Sequence, residues 1–487
     1  MNKNIIFYNL GRLTSIASVL MLLPMLVSLV YKDNCMLAFL IPALGMFFGG
    51  FLLSFRKPKD KNSYAREGFV TVTLMWIILS FFGALPFVIS GSIPSFTDAF
   101  FETVSGFTTT GSTILTDIES LPVSMLFWRS FTHWTGGMGV LALAIAIMPG
   151  ASEEDTADNG QMHLLKAETP GPTFGKLVAK LRYSVRILYA IYAVMTVIQI
   201  VLLYIGGMPL LDCAINSFAT AGTGGFSHWN TSIAHYNSTY VEMVIAVFMI
   251  LFGINFNVYF FLLTGKFIKI WKSEELRWYL AIVAGATLVI TWNILPQYEG
   301  ISQALRYAFF QVSSIISTTG FITTNYDLWP TLSQIVLVLL MFCGACVSST
   351  AGGLKISRII ILVKNSFREL RRQINPREVR VIRLENEAIP AHVSNGVSSY
   401  FGIFMLILLV STLLVSFDGK DAATTATAVI TCLNNVGPGL NEVGATGNFS
   451  QFSVFSKLVL CFDMLAGRLE IFPLLVTLSP SVWKRNM

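Results

Sequence analysis

Long apolar runs separated by short polar stretches set the pattern of this chain. They occupy residues 11–31, 36–55, 69–90, 123–149, 184–206, 240–264, 278–296, 331–363, 397–417 and 452–479. A hydrocarbon core about 30 Å thick takes roughly 20 residues of helix, so the pattern predicts ten membrane spans. Shorter apolar stretches lie between spans 3 and 4, 5 and 6, 7 and 8, and 9 and 10, at 98–110, 212–224, 307–319 and 424–436. Runs of that length suit re-entrant helices that enter and leave by one face. Each runs into a segment rich in Gly with Thr or Asn. A unit of span, half-span, glycine segment and span therefore recurs four times behind two leading helices. The expected divisions are 1–67 for those helices, then 68–150, 151–265, 266–364 and 365–487 for the repeats. The fold class is an all-α polytopic membrane protein. Its first run reads as a retained helix, since it is long and leads into VYKDNC rather than a small-residue cleavage site.

Composition agrees. Of 487 residues, 54% are hydrophobic and 12% charged, about half the charge of a soluble domain. That excludes a soluble enzyme, and the aromatic content excludes a disordered chain. A net charge of +6 is too mild to suggest nucleic acid, and six Cys are too few for a disulfide scaffold. Position matters more than sum. Arg56, Lys57, Lys59, Lys61 and Arg66 fill one loop, and Lys266, Lys269, Lys272 and Arg277 another. Lys364, Arg368, Arg371, Arg372, Arg377, Arg380 and Arg383 fill a third. Opposite loops carry few bases, chiefly Lys32, Arg306 and Lys420. The positive-inside bias predicts both termini in the cytoplasm and all four half-spans entering from outside.

The glycine segments read FTTTGS, GTGGFS, STTGFI and NNVGPG. Taking Gly111, Gly225, Gly320 and Gly437 as equivalent, Asp98 and Asp212 each stand 13 residues before their glycine. An acid there suits the positive end of a short helix. Gly222 is the other choice in the second repeat, and the Asp spacing favours Gly225. Irregular backbone at membrane depth must be buried or line water. Four such segments around one axis would offer inward carbonyls in place of an ion's hydration shell, with the negative ends of the half-helices favouring a cation. The candidate cation ligands are Thr109, Thr110 and Gly111; Thr223, Gly224 and Gly225; Thr318, Thr319 and Gly320; and Asn435, Val436 and Gly437. The bland alternative, four ordinary capped turns, does not account for four in register.

Each following span carries an anomaly at similar depth: Gly136, Gly137 and Gly139; Gly253, Asn255 and Asn257; the run Gly344–Gly353; and Arg468. Glycine costs about 1 kcal/mol in a helix relative to Ala, so GACVSSTAGG predicts a break in span 8. Close helix packing by small residues is the alternative. Arg468 has only apolar residues one turn away on its own helix, Met464, Leu465, Ile471 and Phe472. It therefore faces water or a neighbouring helix, either as a structural ion pair or as a fixed charge in a conduction path. Arg129 and His133 are expected to pack behind the first half-span.

With two N-terminal helices, TTTGST at 108–113, CVSSTAGGLK at 346–355 and DMLAGRLEIFP at 463–473, the chain resembles the Trk/Ktr/HKT superfamily of cation transporters over essentially its whole length. The resemblance implies a potassium pathway around a pseudo-fourfold axis in a bacterial inner membrane. It also implies a homodimer and a cytosolic nucleotide-binding ring that binds NAD or ATP/ADP. In that superfamily glycine at all four filter positions goes with potassium, and serine at the first with sodium. The resemblance makes the glycine-rich run a gate, assigned to Gly344, Ala345, Ser348, Ser349, Thr350, Gly352, Gly353 and Lys355, with Arg468 in the pore. No cofactor belongs to this chain, and potassium is cargo. The basic loop at 364–383 and the loop at 150–186 would dock the partner or face anionic lipid.

Rival classes fare worse. A secondary transporter coupling potassium to protons or sodium is the nearest, but such folds favour two inverted repeats over four parallel ones. A membrane enzyme lacks support: there is no H-E-x-x-H, and the five His are scattered. Cys343 and Cys346 have redox spacing in an apolar span with no redox domain. Asn230 and Asn237 head glycosylation sequons that carry no meaning in a bacterium.

Overall fold

The structure, a computed structural model, describes residues 2–56, 58, 65–139, 181–377, 381–385 and 387–483. Most of the expected basic loop at 56–66, residues 140–149 of the 123–149 run, most of the 150–186 loop and Arg380 lie outside those residues.

Helices α1 (Lys3–Ala17) and α2 (Leu22–Tyr31) form one bent N-terminal rod through a single 3-10 turn. It packs on α3 (Met36–Ser54). A Cβ on Gly11 would meet Gly50 backbone and one on Gly50 would meet Gly11 backbone, so small residues let the two rods touch, as in membrane helix pairs generally. Then come α4 (Ala65–Ile89), α5 (Phe96–Phe107) and α6 (Val123–Gly137). The second set is α7 (Leu181–Ile205), α8 (Leu210–Gly222), α9 (Thr239–Gly253) and α10 (Phe256–Leu263). The third is α11 (Phe267–Lys272), α12 (Glu274–Ile294), α13 (Ile301–Ile316), α14 (Thr331–Phe342) and α15 (Ile356–Ile374). The last is α16 (Ala391–Val415), α17 (Ala422–Asn434), α18 (Val454–Arg468) and α19 (Phe472–Leu478).

Six described helical stretches, the α1–α2 rod among them, are long and apolar enough to cross a membrane. Two runs expected to be continuous are not. The 240–264 run bends by 92° between α9 and α10, and the 452–479 run breaks after Arg468, where Glu470 and Ile471 both take positive φ. The expected break in the 331–363 run is present: α14 stops at Phe342, and the chain is non-helical until Ile356. Two-residue parallel strands, Cys343–Gly344 and Leu354–Lys355, close the base of that loop.

Polar and apolar positions are inverted relative to a water-soluble fold. Leu52, Trp271 and Trp292 point outward, whereas Glu102, Arg129, Gln311 and Asp463 are buried. A hydrocarbon solvent rewards that arrangement, because exposed charge is the costly state there.

Candidate functional site

The short helices α5, α8, α13 and α17 end in the same way. Beyond each lies a residue with left-handed φ: Thr109 (+55°), Thr223 (+57°), Thr318 (+56°) and Asn435 (+54°). Its N–H bonds three residues back, and the next N–H reaches five back. Thus Thr110 N donates to Ser105 O (2.9 Å), Gly224 N to Ala219 O (2.9 Å), Thr319 N to Ser314 O (2.8 Å) and Val436 N to Thr431 O (2.9 Å). This is a Schellman cap, normally closed by glycine. Threonine in that conformation is uncommon because its branched Cβ crowds the backbone.

Two residues after each left-handed residue stand Gly111, Gly225, Gly320 and Gly437, with φ of +84°, +76°, +81° and +99°. A Cβ on Gly111 would collide with Gly224 O, on Gly225 with Thr319 O, on Gly320 with Val436 O, and on Gly437 with Thr110 O. The contacts run first segment to second, second to third, third to fourth and fourth to first. They close a ring. All four glycines line one cavity, with Ser112, Thr113, Asn230 and Asn448 in its walls. Gly225 occupies the second place; Gly222 is still inside α8, against His133. The twelve residues singled out from the sequence therefore come together. Asp98 and Asp212 sit in the first turns of α5 and α8. Asp421 caps α17, accepting from Thr424 N (3.0 Å), and bonds from the Thr424 hydroxyl and amide hold its carboxyl below the usual range.

Beneath the ring the loop after α14 fills the break between α9 and α10. Cys346 N donates to Gly253 O (3.0 Å), and Phe256 N donates to Ser348 O (3.1 Å). Each break thus supplies the partners that the other's exposed backbone needs. Val347 N donates to Glu275 Oε1 (2.9 Å). Ser348 takes positive φ (+55°), Ser349 Oγ returns to Cys346 O (2.6 Å), and Thr350 Oγ1 donates to Phe252 O (3.3 Å). Gly352 N donates to Thr318 Oγ1 (2.8 Å), directly beneath the ring. Gly344 and Ala345 lie at the loop base, where a Cβ on Gly344 would strike Gly352 O. Gly353 turns the chain back with φ +66°. Lys355 is buried and donates into its own loop, to Ala351 O and to Gly352 O (3.3 Å).

Arg468 ends α18 and reaches three elements at once. Its guanidinium donates to Gly136 O and Gly137 O (2.6 Å) at the end of α6, to Thr350 O (2.9 Å) in the loop, and to Thr109 Oγ1 (3.4 Å) below the ring. Arg468 thus reaches neighbouring elements, as its apolar helix neighbours require, chiefly through their backbone carbonyls. Arg129 and His133 both reach α5 as expected, through Glu102 (2.7 Å) and Gly106 O (2.8 Å). Sequence reading overlooked Glu102, the Arg358–Glu470 pair beside Arg468, the Lys457–Asp98 pair (2.6 Å) and Asp463, which accepts from Ser411 (2.7 Å). Lone charges within apolar runs were the available signal. Cys343 and Cys346 are free thiols, and among the described residues no cluster of His, Cys, Asp or Glu is placed to hold a metal.

A family model described as TrkH, a cation transport protein, matches residues 38–485. The chain belongs to the TrkH family of cation transport proteins. It is 37% identical over 482 residues to the Trk system potassium uptake protein TrkH of Salmonella typhimurium, covering 97% of this chain and 98% of that one. It is 33% identical to the TrkH of Halomonas elongata over the full length of both. The crystal structure of the potassium transporter TrkH from Vibrio parahaemolyticus superposes with a TM-score of 0.87 at 34% identity, over 99% of this chain and all of that one. The chain thus shares the overall fold of that TrkH structure along 99% of its length.

Proposed function

We propose that this TrkH-family chain is the potassium-conducting pore subunit of a bacterial Trk-type uptake system. The observation that carries the reading is the cyclic contact of four segments, each with glycine at positive φ and a carbonyl against the next. Carbonyl rings of this kind replace a cation's water, and glycine gives the turn the freedom it needs. Potassium as the ion comes from the relatives' activity and from glycine at all four positions. The four segments act as one filter around a pseudo-fourfold axis, with both termini cytoplasmic and the cavity lined by the glycines facing outward.

The loop at 344–353 and Arg468 act as the gate below it. Their hydrogen bonds to α6, α9, α10 and Thr318 hold the path shut, and a cytosolic nucleotide-binding partner releases them. The unit works as a homodimer, as the resemblance implies. Potassium then moves down its electrochemical gradient, worth about 2.3 kcal/mol per elementary charge per 100 mV. No chemistry is required of this chain. The test is rubidium or potassium flux into proteoliposomes of purified protein, with sodium as competitor and Gly111→Ser alongside. Potassium flux that outruns sodium, and loses that margin in the variant, supports the filter. Equal flux of both ions that ignores the variant removes it and favours a secondary transporter coupled to protons or sodium.

A further inference from the structure

Behind the first two segments lies a buried ion pair that none of the roles above uses. Glu102 stands in the middle of α5 and Arg129 in the middle of α6, both 2% exposed or less. Arg129 Nε donates to Glu102 Oε1 at 2.8 Å. The carboxylate also accepts from Thr113 Oγ1, 3.0 Å from each oxygen, and from Ile114 N at 3.0 Å. Arg129 spends its remaining donors on Ser227 O (3.1 Å) and Thr113 Oγ1 (3.3 Å), and its guanidinium lies 4.1 Å from the centre of the Phe226 ring. Thr113 stands two residues beyond Gly111, and Ser227 two beyond Gly225. One pair of charges thus grips the chain just past both glycines.

The other repeats lack this device. Glu102 lies nine residues before its ring glycine, and the same place holds Asn216, Gln311 and Ala428. Asn216 turns to Tyr236 (3.1 Å), and Gln311 makes only a long bond to Thr323 (3.4 Å). Between the third and fourth segments the chain two residues past Gly437 is held by one neutral bond, from the Tyr326 hydroxyl to Gly439 O (2.9 Å), and the Asp327 carboxylate takes hold only farther out, accepting from Asn441 N (3.2 Å). Charge-assisted bonds are shorter and roughly twice as strong as neutral ones. A buried pair of this kind adds little net stability, since desolvation offsets the attraction. What it does fix is geometry.

We infer that Glu102 and Arg129 are positioning residues that set the separation between the first and second filter segments, and through it the preference for potassium over sodium. The inference rests on the filter reading. A ring free to contract admits the smaller ion; one held open at this corner does not. The pair touches no ion and acts only through Thr113, Ile114, Phe226 and Ser227.

The test is equilibrium binding of rubidium to the purified full-length protein, with potassium and sodium as competitors. The filter is reached from outside, so binding does not need an open gate. Glu102→Gln keeps the shape and removes the charge, and Thr113→Val removes only the hydroxyl that both partners hold. The potassium-over-sodium preference falls by about tenfold in the first, the scale of one lost charged bond, and by a smaller factor in the second. Thr113→Ser retains the wild-type preference, which a purely steric role for Thr113 would not give. If Glu102→Gln does not fold, Thr113→Val decides. Unchanged preference in Glu102→Gln and Thr113→Val, with loss in Gly111→Ser, overturns the inference and leaves the filter standing. Unchanged preference in Gly111→Ser as well removes the filter reading and the inference with it.

Discussion

Replacing Arg468 by alanine removes a guanidinium with acceptors in three elements. Gly136 O and Gly137 O belong to α6 and not to the loop. Only the bond to Thr350 O (2.9 Å) ties the loop itself. A hydrogen bond to a charged group contributes about 1.5–3 kcal/mol net, so the shut position of the loop loses about that much. At 1.4 kcal/mol per factor of ten, the shut-to-open ratio falls roughly 10- to 100-fold. Loss of the positive charge lowers the barrier to a passing cation further. The assay is rubidium influx into proteoliposomes of the purified chain without partner or nucleotide, where the proposed gate predicts a low basal flux in wild type. Arg468→Lys separates the two contributions. Lysine keeps the charge but cannot span α6, the loop and Thr109 together. Flux in Arg468→Lys near that of wild type assigns the block to charge; flux near that of alanine assigns it to the latch. Basal flux in Arg468→Ala indistinguishable from wild type refutes both.

Two other perturbations address the seating of the loop. A Cβ on Gly352 would lie 2.6 Å from Asn434 O and 2.8 Å from Asn435 Cβ, an overpacking that costs about 1–3 kcal/mol; Gly352→Ala is therefore expected to raise shut-state flux at normal yield, and unchanged flux counts against the seating. Thr318→Val removes the acceptor of Gly352 N, a loss of about 0.5–1.5 kcal/mol, whereas Thr223→Val removes a hydroxyl that bonds back to Gly222 O (2.6 Å); single-channel recordings should show added openings in the first and not the second.

Much of the fold was legible because a membrane imposes simple lengths. A span needs its apolar run, and a half-span is recognisable by falling short of one. The four glycine segments were legible as a set, and the Asp spacing chose Gly225 over Gly222, the residue the structure brings into the ring. The bends in the 240–264 and 452–479 runs were not predicted. Hydropathy carries no information about where a helix stops, and Gly253 with Asn255, or Glu470 with Ile471, look tolerable one residue at a time. They become breaks because a partner elsewhere in the chain satisfies the exposed backbone. Cys346 and Ser348 do so for α9 and α10, and no local window contains them. Glu102 was hidden for the same reason: an acid in an apolar half-span announces itself, but its partners Arg129 and Ile114 meet it only in three dimensions.

The left-handed residues bond the ring to the loop and to Arg468. Glycine would close those four caps without strain, and Thr or Asn there costs about 1–2 kcal/mol each in backbone energy. The return on that cost differs by repeat. Thr223 spends its hydroxyl locally. Asn435 donates to Thr110 Oγ1 (2.9 Å) and Met464 O (3.0 Å), joining the fourth segment to the first and to α18. Thr109 Oγ1 accepts from Arg468, and Thr318 Oγ1 accepts from Gly352 N. Two of the four left-handed residues are therefore bonded to the two parts of the proposed gate. Withdrawal of the loop takes a donor from Thr318, and movement of Arg468 takes one from Thr109, each directly behind a carbonyl of the ring. Strained backbone persists only where its surroundings over-determine it, so the loop and Arg468 are part of what holds the ring in shape. The side chain that strains the cap at these two places is the one that reaches the loop or Arg468.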